Sequence, residues 1–312
     1  MLRIALSAIS ASLLALSVSP AHAQATRTWV SGVGDDANPC SRTAPCKTFP
    51  GAISKTAASG EINCLDPGGF GSVTITKSII INCEMGTAGV LAALTNGINV
   101  NGAGIIVVLK GLDIQGAGNG LIGINFIAGA VLHVQKCIIR QFNSGSATGI
   151  LFAPNSAGAK LFVDDCYVAD NGSGSSGGGI LIQPAVGGTA VADLTNVRIN
   201  NNSNGVRAIG TNGSVKLSMR NSTSSGNTFG GVVAITTGNP VTAIVESSTI
   251  SHNGGNGLNA NGGGALLNFG RSLVTGNAIS AASSNGGVIQ SYGDNDIDGN
   301  TANNLPTVIA HH

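Results

Sequence analysis

The chain has 312 residues, of which 47 are glycine and only 9% are charged, with a formal net charge of +1. An average protein carries about 25% charged residues, so this composition argues against a helix-rich enzyme, while the 42% hydrophobic content argues against disorder. With 15 basic against 14 acidic side chains and 4% aromatic residues, neither the field nor the stacking platforms that a nucleic acid needs are present.

Taken from its start, MLRIALSAISASLLALSVSPAHA opens on Arg3, continues as an apolar run from Ile4 to Val18, and ends on the small-x-small site Ala21-His22-Ala23. This is the pattern of a secretory signal peptide over residues 1–23, too short for the roughly 20 apolar residues of a transmembrane span. No later run comes closer to spanning. Export places the six cysteines, at 40, 46, 64, 83, 137 and 166, where disulfides persist, and their even number fits complete pairing. Residues 24–60 form an N-terminal segment in which Thr48 caps a short helix carrying Phe49, Ile53 and Ala57 on one face. Such a helix is suited to cover the first rung of a repeat array, and EINCL, GSVTIT and SIIINCE supply the first strands.

From Gly97 onward a glycine followed by apolar alternation recurs, as GINV, GINF, GILF, GILI, GVRA, GVVA, GLNA and GVIQ, beginning at residues 97, 123, 149, 179, 205, 231, 257 and 287. The spacing is 26 or 30 residues. A second anchor is an asparagine, at 171, 202, 227, 253, 277 and 300, preceded by mostly apolar residues at minus three and minus eight and by small or polar ones at minus five. Short alternating strands separated by Gly, Asn and Ser turns, with equivalent positions repeating, stack as a parallel β-helix in which asparagines form ladders. A β-propeller would need longer blades and a Trp-Asp signature, and the chain has one tryptophan. The expected fold is all-β: a single right-handed parallel β-helix of about nine coils over residues 61–300, with a short N-terminal capping helix and a C-terminal tail at 301–312. The distance from Gly287 to Asn300 marks the last coil as truncated, and the segments after Asn171 and Asn277 as longer loops able to wall a cleft.

The segment SGVGDDANPCSRTAPCKTFPGAI and coils such as STISHNGGNGL resemble secreted bacterial β-helix proteins of the pectin-lyase-like superfamily, over about Thr28 to Asn300. The resemblance implies the fold, but its members include lyases, hydrolases, epimerases, tailspikes and non-catalytic surface proteins. Of the residue set that polygalacturonase-like members carry, only Asp164-Asp165 is present; His252 stands in Ser-His-Asn and no Arg-x-Lys occurs.

In the asparagine register, the two positions before one corner read Gln135-Lys136, Asp164-Asp165, Thr195-Asn196, Arg220-Asn221, Glu246-Ser247, Gly270-Arg271 and Gly293-Asp294. Lys136 should lie against Asp165, and Arg220 against Glu246, as cross-strand pairs. Asp164, Asp165, Lys136 and Arg140 are the candidate catalytic or saccharide-binding residues. Asp294, Asp296 and Asp298 match the start of a calcium loop, but Leu305 stands where the bidentate Glu belongs, so calcium is the one cofactor left open and a solvated turn is the plainer reading. The cysteines should pair as Cys40–Cys46, Cys64–Cys83 and Cys137–Cys166, the last two stacked on neighbouring coils. Leu151, Leu181 and Val233 should form an outward apolar strip. The expected function is that of a secreted, periplasmic or cell-surface protein binding a polysaccharide or a cell-envelope component without catalysis; the alternative is a polysaccharide lyase or glycoside hydrolase. Nothing in the sequence fixes an oligomeric state.

Overall fold

A computed structural model describes residues 24–310 apart from Met85 and Thr87. The proposed signal peptide and His311-His312 lie outside the described residues. The strands form three parallel sheets of 12, 9 and 10 strands, and each coil visits all three in turn. The result is a parallel β-helix solenoid of about nine turns.

Registers show why the repeats stack. In the first sheet Val134, Val163, Leu194, Met219, Val245 and Phe269 are consecutive partners, all buried. In the third sheet Ile139, Val168, Ile199, Ser224, Ile250 and Val274 do the same. The alternation expected for strands thus builds a continuous apolar interior. The minus-eight column ends on Ser291 rather than Tyr292, one residue from the expected position.

Two corners are made by single left-handed residues. Between the first and third sheets these are Lys136, Asp165, Asn196, Asn221, Ser247 and Arg271, with φ between 50° and 56°. The next residue points inward: Ser222 Oγ donates to Arg220 O (2.7 Å) and accepts Val197 N (3.0 Å), and Ser248 and Ser272 repeat the pattern. After the third sheet a second left-handed column, including Asp170, Asn201 and His252, precedes the asparagines. Asn171, Asn202, Asn227, Asn253, Asn277 and Asn300 then form an unbroken side-chain ladder with Nδ2 to Oδ1 distances of 2.8–3.3 Å.

The repeated glycine has a steric cause. A Cβ on Gly123 would lie 2.6 Å from Ile139 Cγ2, one on Gly179 2.8 Å from Ile199 Cγ2, and one on Gly231 2.6 Å from Ile250 Cγ2. The chain enters the second sheet pressed against the third sheet's apolar column, where no side chain fits. GVIQ from Gly287 is not an eighth member: Val288–Ser291 belongs to the first sheet, and the strand stacked on Asn256–Asn261 in the second sheet is Ile279–Ser284, with Leu258 opposite Ala281. The last coil is therefore read differently from its apolar pattern, and no long loop follows Asn277, because strand resumes at Ile279.

At the N-terminal end, helix α1 spans Phe49–Lys55; Thr48 Oγ1 accepts Gly51 N at 3.0 Å, and Phe49 and Ala52 are buried. Ala57, expected on the helix, lies in strand Thr56–Cys64. An additional strand, Ala25–Val30, pairs with that one and opens the first sheet. At the other end, the expected tail closes the last coil: Ala302 O accepts Ser280 N at 2.9 Å, and Thr307–Val308 pairs with Gln290 and Ser291. Among the described residues no helix is long and apolar enough to cross a membrane.

Cys40–Cys46 and Cys64–Cys83 are disulfides, with Cα atoms 4.6 and 4.8 Å apart. Cys137 and Cys166, expected as a third bridge, are free and buried. Each thiol donates to the carbonyl two residues back, at 3.2 Å, and Cys166 Sγ accepts Cys137 N at 3.3 Å. They occupy the place of the serines in the corner ladder and make the serines' bonds instead of a disulfide. The neighbouring Cys137 side chain, followed by burial, pushes the Cys166 thiol well up.

The outward apolar strip is also corrected. Leu181 and Val233 are only 8% and 6% exposed. Strand Gly178–Ile182 is buried along its whole length, and Gly230 lies against Val233.

Candidate functional site

The corner between the first and third sheets carries a groove in two parts, of about 280 and 380 Å³, that share Lys136 and Ile138. One part is bounded by Glu84 and Asp113, the other by Asp165, Tyr167 and Arg198. These residues reach it from neighbouring coils: Asp113, Ile138, Tyr167 and Arg198 are register partners on the outer face of the third sheet. Lys136 and Asp165 stand at the left-handed corner, where the reversed backbone turns each side chain outward beside the strand end.

The expected residues are brought together in part. Lys136 and Asp165 face the same concavity. Asp164 stands beyond its rim on the first sheet, opposite Gln135 and Thr195, and is close enough for its charge and that of Asp165 to act on Lys136. Yet Lys136 Nζ bonds Glu84 Oε1 at 2.8 Å, two coils below, rather than either aspartate. That bond holds Lys136 above the ordinary ammonium range and Glu84 below the ordinary carboxylate range. Arg140 reaches the groove only through Asp113, with Nε at 3.0 Å and Nη2 at 2.8 Å from the two carboxylate oxygens. The carboxylates of Asp164 and Asp165 have no cation within 4.0 Å among the described residues. Arg220 and Glu246 are register partners as expected, but Glu246 pairs with Arg271 on the coil above. The long arginine on the left-handed corner reaches back to the coil below, whereas Arg220 projects from the strand.

Glu84, Asp113, Tyr167 and Arg198 were not among the sequence candidates. Arg198 lies across the Tyr167 ring at 5.5 Å. Counting four residues back from Asn171 and Asn202 reaches Tyr167 and Arg198, the first outward position after the corner. Glu84 has no such signal, because its coil precedes the asparagine register.

Chemically the groove offers fixed charges, an aromatic face and the apolar side of Ile138. Lys136 stays protonated at neutral pH and so provides a cation rather than a proton acceptor. The calcium candidates do not converge. Asp294 accepts Arg271 N at 3.0 Å, Asp298 accepts Gly299 N at 2.7 Å, and Asp296 lies in a strand between them. Among the described residues no three or more His, Cys, Asp or Glu side chains gather as a metal site.

No protein-family model matches the chain, and no curated protein matches it. Among solved structures, the crystal structure of pectate lyase Pel9A is similar with a TM-score of 0.62 at 16% identity, over 86% of this chain and 75% of that one. A rhamnogalacturonan lyase aligns with a TM-score of 0.37 at 12% identity, over 91% and 89% of the two chains. At such identity the first likeness establishes the fold that the registers already display: this chain has a parallel β-helix fold like that of the pectate lyase structure.

Proposed function

We propose that the protein is exported and binds a polysaccharide along the corner groove. The observation that carries this reading is the row Lys136, Ile138, Asp165, Tyr167 and Arg198, set on adjacent rungs about 4.8 Å apart. Carboxylates accept sugar hydroxyls, guanidinium and ammonium groups donate to them, and an aromatic face packs on sugar C–H groups. Rungs repeated along a line suit a ligand that itself repeats. Two disulfides fit an oxidising compartment, as the leader sequence implies. The fixed protonation of Lys136 favours binding over proton abstraction.

A second reading, cleavage of the bound glycan, is favoured by the unpaired Asp164 and Asp165 and by the likeness to a polysaccharide lyase. Incubating the mature protein with neutral and uronate polysaccharides, with and without calcium, separates the two. Binding predicts retention without new reducing or unsaturated ends, with retention lost in Tyr167→Ala. Release of ends that vanishes in an Asp164→Ala, Asp165→Ala double variant establishes cleavage instead. Neither retention nor release on any glycan overturns both.

A further inference from the structure

The chain's one tryptophan stands on the outermost rung of the first sheet, in a column that is otherwise polar. Along strand Ala25–Val30 the residues Thr28 and Val30 are buried, so Ala25, Arg27 and Trp29 face outward. The register partners that follow Trp29 are Asn63, Asn82, Lys110 and Gln135. None of these offers the indole an apolar partner, yet Trp29 is half-buried.

What shields it is a wall that the N-terminal segment builds beside the sheet. The chain returns along the strand, Trp29 N donating to Cys40 O and Cys46 N to Trp29 O, each at 2.9 Å, and the Cys40–Cys46 disulfide closes that loop. The end of helix α1 forms another side: Gln24 Nε2 donates to Ser54 O at 2.8 Å, and the Lys55 ammonium donates to Asp36 O and Asn38 O. Between these parts lies a cavity of about 790 Å³, larger than either part of the corner groove and sharing no residue with it. Ala25, Trp29, Ala37 and Pro39 give it apolar walls; Arg27 and Lys55 are its charged residues, and no carboxylate lines it.

The volume falls in the range of about 300–1,000 Å³ that small-molecule sites occupy. Its unused groups are donors. The Trp29 indole N–H has no partner among the described residues. Arg27 engages Nη2 with Glu61 Oε2 at 2.8 Å, outside the lining, and keeps Nε and Nη1 free. Lys55 is held by neutral carbonyls, with no carboxylate within 4.0 Å among the described residues. Apolar walls with an indole suit an aromatic ring, and two cations with donors to spare suit an anion. We propose that this cavity binds a small aromatic carboxylate, its ring packed against Trp29 and its oxygens accepting from Arg27, with the Lys55 charge beside them. The site does not depend on the polysaccharide reading of the corner groove.

The test uses the mature chain with phenylacetate as the probe and follows tryptophan emission, which reports on this cavity alone because Trp29 is the chain's one tryptophan. A saturable change with a dissociation constant of about 1 mM or below is expected. Benzyl alcohol, which has the ring without the charge, should bind at least about tenfold more weakly, and acetate, which has the charge without the ring, should leave the emission unchanged over the same range. Arg27→Gln should weaken phenylacetate binding at least about tenfold. Ala37→Glu sets a carboxylate at an exposed position of the lining, so it should weaken binding as much with an unchanged melting temperature, and it serves if Arg27→Gln does not fold. No saturable change with phenylacetate, equal affinity for benzyl alcohol, or undiminished affinity in either folded variant overturns the site.

Discussion

Asn227 shows how much one side chain does inside the solenoid. It donates to Asn253 Oδ1 at 2.8 Å and Ser224 Oγ at 3.1 Å, and accepts both Asn202 N at 3.0 Å and Asn202 Nδ2 at 3.3 Å. Truncation to alanine strands the two donors of Asn202 in the interior, and we expect Asn227→Ala to cost about 2–3 kcal/mol in urea unfolding; a loss under about 0.5 kcal/mol would show that the ladder only fills space. His133 makes a different point on the outer face of the first sheet, stacked on Phe162 with ring centroids 4.9 Å apart. Burial, then the charge of Lys110, holds its imidazole below the ordinary value of 6.5. The unfolded chain therefore binds more protons between the two values, so the stability contribution is present above 6.5 and is lost as pH falls through the folded value. Unfolding at about pH 7.5 and pH 5.5 should show a stability drop that shrinks in His133→Gln, and an unchanged drop would assign it to other groups.

The elements are held by close approach at their ends as much as by alternation along them. Gly231→Ala would place a Cβ 2.6 Å from both Ile250 Cγ2 and Gly257 O, and we expect a loss of about 1–3 kcal/mol. Ile250→Ala, which removes Cγ2, should cost less in the Gly231→Ala chain than in the unaltered one, whereas Gly238→Ala, with open space around it, should be neutral. Equal effects at 231 and 238 would refute the steric account. The same geometry explains what was legible beforehand. Asparagine and glycine recur because each faces an identical copy of itself one coil away, so their columns were readable by spacing alone. Gly287 misled because an apolar alternation after glycine looks the same in the first sheet as in the second. For the groove, Lys136 and Asp165 were visible as an outward column, but the reach of Lys136 to Glu84 was not, because a flexible ammonium chooses among several rungs. Cys137 and Cys166 were placed correctly in one column; which bonds their thiols make depends on carbonyls two residues back, and spacing between coils carries no information about that.

For the whole molecule, both ends differ from the middle. Helix α1 and the strand Ala25–Val30 cover one, while the turn and short strand after Asn300 cover the other. Between them each strand pairs only with strands of the coil before and the coil after, and a contact that skips a coil, such as Lys136 to Glu84, is made by a long surface side chain. The asparagine ladder makes that independence usable. Since Asn227 and Asn253 are equivalent and Gly254 follows the second as Thr228 follows the first, excising residues 228–253 should leave both ladders in register, and the shortened chain should keep its β circular dichroism and a cooperative melt. Removing half that number should instead throw inward residues outward and give an aggregating or unfolded product; equal behaviour of the two deletions would refute the argument. The protein's length is thus quantised: it can be shortened or extended in whole steps of one coil, each worth about 4.8 Å of reach, with neither cap sensing the change.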